Sequence, residues 1–301
     1  MLGVTTSLAE SGGVLFSGRL SLAEQPWLKD HQVFETVLVP GTGLVEMALA
    51  AARVVGAQRL SELTLSAPLV LPEQGAVRVQ IQIDAADAQG ERALTLHSRG
   101  DEAAEDTPWR CHATGLLSAA LDDNRGDAAF QGGGEMSGEE SVLEPTLQHW
   151  PPAGGRPINL DGFYRELDDV GLTYGAAFQG LTEAWKVGDD VYGRVILPNG
   201  TADTVADYGI HPALLDSALH LLFAVSFDAQ KPSIDVMLPF AWSGVTLHAT
   251  GARELRVLMQ CSSSNDQEND QEKNKKNNEV NVSLVVADPT GQRVATVEAL
   301  Q

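Results

Sequence analysis

The run from Gly43 to Ala57 limits the fold more than any other stretch of this chain. Leu44, Val45, Met47, Ala48, Leu49, Ala51, Ala52, Val54 and Val55 cover every face of a helix of that span. A helix that is apolar all round is a buried one, and this one falls short of the ~20 residues that cross a bilayer. Other structure must therefore wrap around it. Pro40 and Gly41 break the preceding segment, and Thr42 is the expected helix N-cap. The wrapping reads as β-structure. Val77, Val79, Ile81 and Ile83 alternate with Arg78, Gln80 and Gln82, a period of two. Residues 14–22, 93–99 and 109–118 are further strands, and Gln32–Val39 is a strand or extended loop rich in β-branched residues.

The second half repeats the plan. Asp161–Val170 is a short amphipathic helix with Phe163, Tyr164 and Leu167 facing inward. Strands are expected at Leu181–Val187, Val191–Leu197, Val245–His248, Glu254–Gln260, Asn281–Ala287 and Arg293–Ala299. Ala213–Val225 is a second largely apolar helix, with Pro212 in its first turn. Between the halves, Asp122–Gly155 is rich in Gly, Ser, Pro and acid and lacks periodicity, which is linker composition. The expected division is a unit over 1–135, a linker over 136–156 and a second unit over 157–301. Ser262–Glu279, devoid of apolar residues, reads as a disordered hairpin insertion.

Composition removes several function classes. The 301 residues carry a formal net charge of −21, which argues against nonspecific binding to nucleic acid or anionic membrane. Cys111 and Cys261 make neither a disulfide framework nor a zinc pattern, and they suit a reducing cytoplasm. No signal peptide is evident. Both ends read as cuts in a longer polypeptide. No metal-ligand cluster, phosphate loop or nucleophile elbow is present.

Two places could carry chemistry. His31 titrates near neutrality and lies just before the buried helix, whose N-terminal N–H groups could hold a developing oxyanion. It could equally be a satisfied histidine at a helix entrance. Asp216 and His220 are four apart in the second apolar helix and share a face. An aspartate among Leu214, Leu215, Ala218, Leu219 and Leu221 is costly to bury ionised, so its pKa is expected to rise and make it a proton donor. A polar stripe at a domain interface is the other explanation. A base and an acid across a cleft suit loss of water from a β-hydroxy carbonyl. Structural roles are expected for His97, His112, His149, His211 and His248.

Several motifs now fall in order. They are His31-QVF-Glu35-TVLV-Pro40 followed by GTGLVEMAL, then Tyr174-GAA-Phe178-QG, Asp216 and His220 inside HPALLDSALH, and Leu238-PFA-Trp242. The chain resembles the dehydratase domain of a modular polyketide synthase over essentially its whole length. The resemblance implies an α+β double hotdog, two antiparallel sheets each wrapped around a long buried helix. It implies a 3-hydroxyacyl thioester on the phosphopantetheine of an acyl carrier protein, with no other cofactor and no metal. His31 would be the base and Asp216 the acid. His220 and Tyr174 would orient Asp216 or the leaving group. The Gly41 amide, beside Pro40, would contact the thioester carbonyl, and Phe178 would line the site. Partners would be the carrier protein, other domains of the module and a second copy in a dimer.

Two positions depart from the family pattern. Glu35 replaces the motif glycine and could narrow the pocket, add a titrating group or point to solvent. Ala176 replaces the motif proline. The alternatives to a simple dehydratase are a dehydratase–cyclase that closes an oxygen ring, a double-bond-shifting isomerase and a catalytically silent scaffold. Asp216 and the proline of the His31 motif, Pro40, argue against the isomerase; intact His31 and Asp216 argue against the scaffold, and Glu35 argues mildly for it.

Overall fold

A computed structural model describes residues 1–118, 145–228, 239–263 and 280–301. The first half supplies β1 (Leu2–Ser7), β2 (Val14–Leu20), β3 (His31–Val33), β4 (Thr36–Val37), α1 (Gly41–Val54), β5 (Arg59–Leu65), β6 (Val77–Ile83), β7 (Arg92–Gly100) and β8 (Arg110–Ser118). The second supplies α2 (Pro145–Gln148), β9 (Arg156–Ile158), α3 (Phe163–Asp169), β10 (Leu172–Tyr174), β11 (Leu181–Val187), β12 (Asp190–Ile196), α4 (Asn199–Ala202), α5 (Pro212–Leu219) and α6 (Leu221–Asp228). It continues with β13 (Ala241–Leu247), β14 (Glu254–Ser263), β15 (Val280–Ala287) and β16 (Arg293–Leu300).

The strands of the two halves join edge to edge in one sheet. Among the described residues the strand order is β1-β2-β6-β7-β8-β5-β13-β16-β15-β14-β12-β11-β9, antiparallel throughout. The seam is the β5–β13 pair, where Leu63 lies opposite Trp242. Sequence periodicity misses β5 because its register shifts between Leu60 and Glu62, a bulge that interrupts the alternation. The alternation in β6 does describe the fold: Val77, Val79, Ile81 and Ile83 are buried, and the residues between them are not.

The all-apolar run is the buried helix α1. Val45, Met47, Ala48 and Ala51 have no solvent exposure. Its N-cap is Pro40, with no side-chain capping bond, so Thr42 is not the cap. Thr42 sits inside the first turn because Pro40, lacking an N–H, already ends the extended segment there. The second helix is shorter than expected. α5 ends at Leu219, and α6 starts afresh with the Phe223 and Ala224 N–H groups both donating to the His220 carbonyl at 3.0 Å.

α1 packs against α5. A buried carboxylate fixes their relation: Glu46 of α1 accepts the Gly209 N–H at 2.9 Å and the Ile210 N–H at 3.3 Å. His211 then caps α5, its Nδ1 accepting the Ala213 N–H at 3.1 Å. These bonds set the height of α5, and with it Asp216, along α1.

Of the expected linker, 122–144 lie outside the described residues, as do 264–279 of the expected insertion and Leu238. The end of the linker is not featureless. Leu147 is fully buried against Tyr192, Leu258 and Val285, and Arg256 donates to the Leu147 and Gln148 carbonyls at 2.8 Å. Lone apolar residues in a Gly- and Pro-rich stretch carry no period, so this docking was not readable.

Candidate active site

His31 is held by a tight hairpin. β3 and β4 pair Gln32 with Val37 and Val33 with Thr36, leaving Phe34 and Glu35 as a two-residue turn. Both turn residues have positive φ, 47° and 61°, the backbone that type I′ hairpin turns require. The register brings Leu38 opposite His31. The Leu38 N–H donates to the His31 carbonyl at 3.2 Å, and the His31 ring places Nδ1 3.1 Å from the Leu38 carbonyl. A carbonyl only accepts, so the neutral ring carries its proton on Nδ1 and keeps the lone pair on Nε2.

Glu35 is therefore the turn residue of the hairpin that carries the base. Its side chain is exposed and does not fill the site. Glycine suits this position because the turn needs φ > 0, where an L side chain is strained.

The loop after β10 closes over His31. β10 pairs with β3 so that Tyr174 lies directly across from His31. Asp30 fastens the residues after Tyr174: its Oδ2 accepts the Ala177 N–H at 2.8 Å, and its carbonyl accepts the Gly175 N–H at 2.8 Å. Any β-carbon at Gly175 would collide with the Asp30 side chain. The loop delivers Phe178, fully buried, to 5.1 Å from the His31 ring centroid.

Asp216 reaches the site from α5. Its Oδ2 is 4.0 Å from His31 Nε2 and 3.4 Å from His220 Nε2. Thr42 Oγ1 lies 3.3 Å from Asp216 Oδ1 and 3.1 Å from the Pro212 carbonyl. The first turn of α1, with Gly41 at its start, thus touches the same carboxylate. Tyr174 packs at a tilt against the His220 ring, centroids 4.2 Å apart, and its hydroxyl makes no hydrogen bond among the described residues. His31, Asp216, His220, Tyr174 and Phe178 are brought to one place, Pro40 and Gly41 directly precede Thr42, which touches Asp216, and Glu35 is exposed at the turn of the His31 hairpin.

The electrostatics correct one expectation. Burial does push Asp216 upward, but the His220 ring, the charges of His31 and His220 and the Thr42 hydroxyl overcome it, and the carboxyl titrates below its ordinary 3.8. The raised pKa expected from the apolar helix fails because α1 and His220 supply polar partners that no local pattern shows. Burial lowers His31 below 6.5, only partly opposed by Asp216 and the Leu38 bond. The resting site is a neutral imidazole facing a carboxylate.

Three contributors were not legible. Thr42 read as a cap and Tyr164 as core, yet Tyr164 Oη stands 3.3 Å from His220 Nδ1. Asp30 had no signal beyond its place next to His31.

Two family models match the chain: "Polyketide synthase dehydratase domain" over residues 1–99 and "Polyketide synthase dehydratase N-terminal domain" over 143–301. Polyketide synthase GfsA of Streptomyces halstedii is 43% identical over 302 residues, covering 100% of this chain and 4% of that protein. Spectinabilin polyketide synthase system protein NorA of Streptomyces orinoci is 40% identical, covering 100% of this chain and 14% of that one. The chain thus spans a small fraction of these relatives. Among solved structures, the bifunctional dehydratase–cyclase domain in ambruticin biosynthesis is 38% identical with a TM-score of 0.81, over 99% of this chain and 93% of the other. The erythromycin dehydratase is 34% identical with a TM-score of 0.77, over 99% and 94%. Two matching family models and a relative 43% identical over all of this chain show that the chain belongs to the polyketide synthase dehydratase domains.

Proposed function

We propose that His31 and Asp216 carry out the dehydratase reaction of the family, loss of water from a 3-hydroxyacyl thioester on an acyl carrier protein to give the α,β-enoyl thioester. The observation that carries the assignment is the 4.0 Å gap between His31 Nε2 and Asp216 Oδ2, with the lone pair on Nε2. A gap of that size serves adjacent carbons on one face of the substrate, so the α-hydrogen and β-hydroxyl leave from the same side.

The protonation states favour a one-base cycle. The substrate β-hydroxyl donates to the Asp216 carboxylate. Nε2 of His31 takes the α-proton, and the charge that grows on the thioester oxygen is stabilised by the uncapped first turn of α1, at Gly41. The carboxylate steadies the imidazolium. The β-carbon–oxygen bond then breaks, the imidazolium returns its proton to the departing oxygen, and water leaves with both groups of the enzyme in their starting forms. Asp216 thus orients the hydroxyl and balances charge. The cycle needs no metal or organic cofactor; the phosphopantetheine arm presents the substrate.

The test is mass spectrometry of the domain with a synthetic 3-hydroxyacyl pantetheine thioester, beside His31→Ala and Asp216→Asn. Loss of one water by the wild type alone supports the assignment. No water loss from a folded wild type, on several chain lengths, points to a scaffold. With a substrate bearing a distal hydroxyl, a product of changed retention and unchanged mass after dehydration points to ring closure, the second activity of the ambruticin domain.

The carrier protein and the other domains of the module are the partners this reaction requires, and a cytoplasmic setting follows from them. A homodimer is also part of the proposal. β1 ends the sheet with Val4 64% exposed, and an open strand edge of this kind suits a second copy.

A further inference from the structure

We infer that Tyr164 is a positioning residue for the Asp216 side of the site: its hydroxyl decides which nitrogen of His220 faces the carboxylate. The inference rests on the dehydratase assignment of the His31–Asp216 pair. Tyr164 lies in α3, outside every motif that carries the family resemblance.

The argument follows donors and acceptors. Tyr164 Oη accepts the Leu181 N–H at 3.0 Å and stands 3.3 Å from His220 Nδ1. The Leu181 N–H takes one acceptor site of the oxygen, and the phenolic hydrogen then has His220 Nδ1 as its acceptor among the described residues. Burial holds the Tyr164 phenol far above its ordinary range, so that hydrogen is always present. A neutral His220 that accepts at Nδ1 must carry its own proton on Nε2. That nitrogen is fully buried with no hydrogen bond among the described residues, and Asp216 Oδ2 is 3.4 Å away. Donation therefore runs one way, from the Leu181 amide through Tyr164 to His220, and leaves the ring proton on Nε2, the nitrogen 3.4 Å from Asp216 Oδ2.

The opposite tautomer would turn a lone pair toward an ionised carboxylate. The two would repel, Asp216 would lose a donor that keeps it ionised, and its oxygen would swing away from the substrate hydroxyl. The aromatic neighbours cannot make this choice. Tyr174 at 4.2 Å and the Tyr164 ring at 5.6 Å fix the plane of His220 but treat its two nitrogens alike. Around Asp216 the other polar neighbours are His31 at 4.0 Å and Thr42 at 3.3 Å, and neither reaches Nδ1 of His220 in the hydrogen-bond pattern.

The experiment combines a mutant cycle with a tautomer measurement. Tyr164→Phe, His220→Ala and the double variant are assayed on the 3-hydroxyacyl pantetheine thioester. Removing one hydrogen bond that acts on orientation is expected to lower kcat of Tyr164→Phe about tenfold with KM unchanged. In the His220→Ala background the same substitution is expected to cost nothing further, because Tyr164 acts through His220. Losses that multiply across the two sites would overturn the inference. Nitrogen-15 NMR of histidine-labelled protein reads the tautomer directly. The wild type should show neutral His220 protonated at Nε2, and Tyr164→Phe should mix in the Nδ1–H form. A wild-type His220 protonated at Nδ1 sinks the inference, whether or not any variant folds. If the wild type turns over no thioester, it is the role of His31 and Asp216 that fails, and the tautomer in the same sample still decides the Tyr164 link.

Discussion

His31 Nε2 and Asp216 Oδ2 face each other across 4.0 Å, one carried by a hairpin of the first half and the other by a helix of the second. Neither half contains a complete site. The pair exists because Glu46 ties α1 to the segment before α5 and because β5 joins β13.

The protonation states predict the pH profile. Catalysis needs His31 neutral, and burial holds its folded pKa below 6.5. The rate should therefore be fully expressed above pH 6.5 and fall as the pH drops through that lowered value. Asp216, held below 3.8, stays ionised throughout this range. A plot of kcat/KM against pH should show one acid limb and a plateau through neutrality. A second limb, falling between about pH 6 and 8, would assign the donated proton to Asp216 and replace the one-base cycle.

Removing the base should cost about 10²–10⁴-fold in kcat, the usual range for positioned proton transfer, and removing the carboxylate that orients the hydroxyl and balances charge about 10²–10³-fold. His31→Ala and Asp216→Asn are the variants. Unchanged far-ultraviolet dichroism together with this loss separates catalysis from folding. A loss under tenfold in either variant would place the chemistry elsewhere.

Thr42→Val keeps shape and removes the hydroxyl that reaches both Asp216 Oδ1 and the Pro212 carbonyl. The one hydroxyl hydrogen is shared between two buried acceptors, and its loss leaves both without it, so stability should fall by roughly 1–3 kcal/mol. The acid limb should also move, because Thr42 helps to hold Asp216 ionised and Asp216 in turn supports His31 as a cation. Urea unfolding gives the first quantity and the pH–rate profile the second. A stability loss with an unmoved profile would confine Thr42 to structure.

Much of the fold was legible because burial imposes a period. The all-apolar helix, the alternating β6 and the strands around them follow from a two-fold or 3.6-fold repeat. What was lost had no repeat to show: β5 is bulged, the β3–β4 hairpin is only a few residues long, and Leu147 docks from a Gly-rich stretch. The site divides in the same way. His31 and Asp216 stand out as polar residues beside apolar helices. Thr42, Asp30 and Tyr164 act through partners far away in sequence, and no spacing within one segment reports a partner in another. Asp216 shows the consequence. Its local surroundings predict a raised pKa, and its distant partners reverse the sign.

Glu35 sits at φ 61° with its side chain exposed, so Glu35→Gly should relieve backbone strain without reaching the chemistry. A left-handed L-residue costs roughly 1–2 kcal/mol, of which the flexibility of glycine in the unfolded chain cancels part. The expected gain is about 1 kcal/mol, read as a higher Tm, with kcat within about twofold of wild type. A large rise in kcat would show instead that Glu35 restrains the His31 hairpin, and it would revive the view of this domain as impaired by that residue.

His211 makes the cap of α5 a pH-sensitive joint. Its Nδ1 accepts from the Ala213 N–H, and Nε2 lies 3.2 Å from Thr204 Oγ1, so the capping ring has to be neutral. Burial lowers its pKa to about 4, against 6.5 for an ordinary histidine. The unfolded chain therefore binds the proton more readily than the folded one. The contribution to stability is complete above pH 6.5 and is lost as the pH falls toward 4, a change of ~3 kcal/mol for a shift of this size. His31, His112 and His248 are lowered as well and slope the same way. His211→Asn keeps a capping acceptor that does not titrate. Urea midpoints measured from pH 7 down to pH 4 should fall less steeply for this variant than for wild type. Parallel slopes would show that the α5 cap does not titrate and that the acid sensitivity belongs to the other buried histidines.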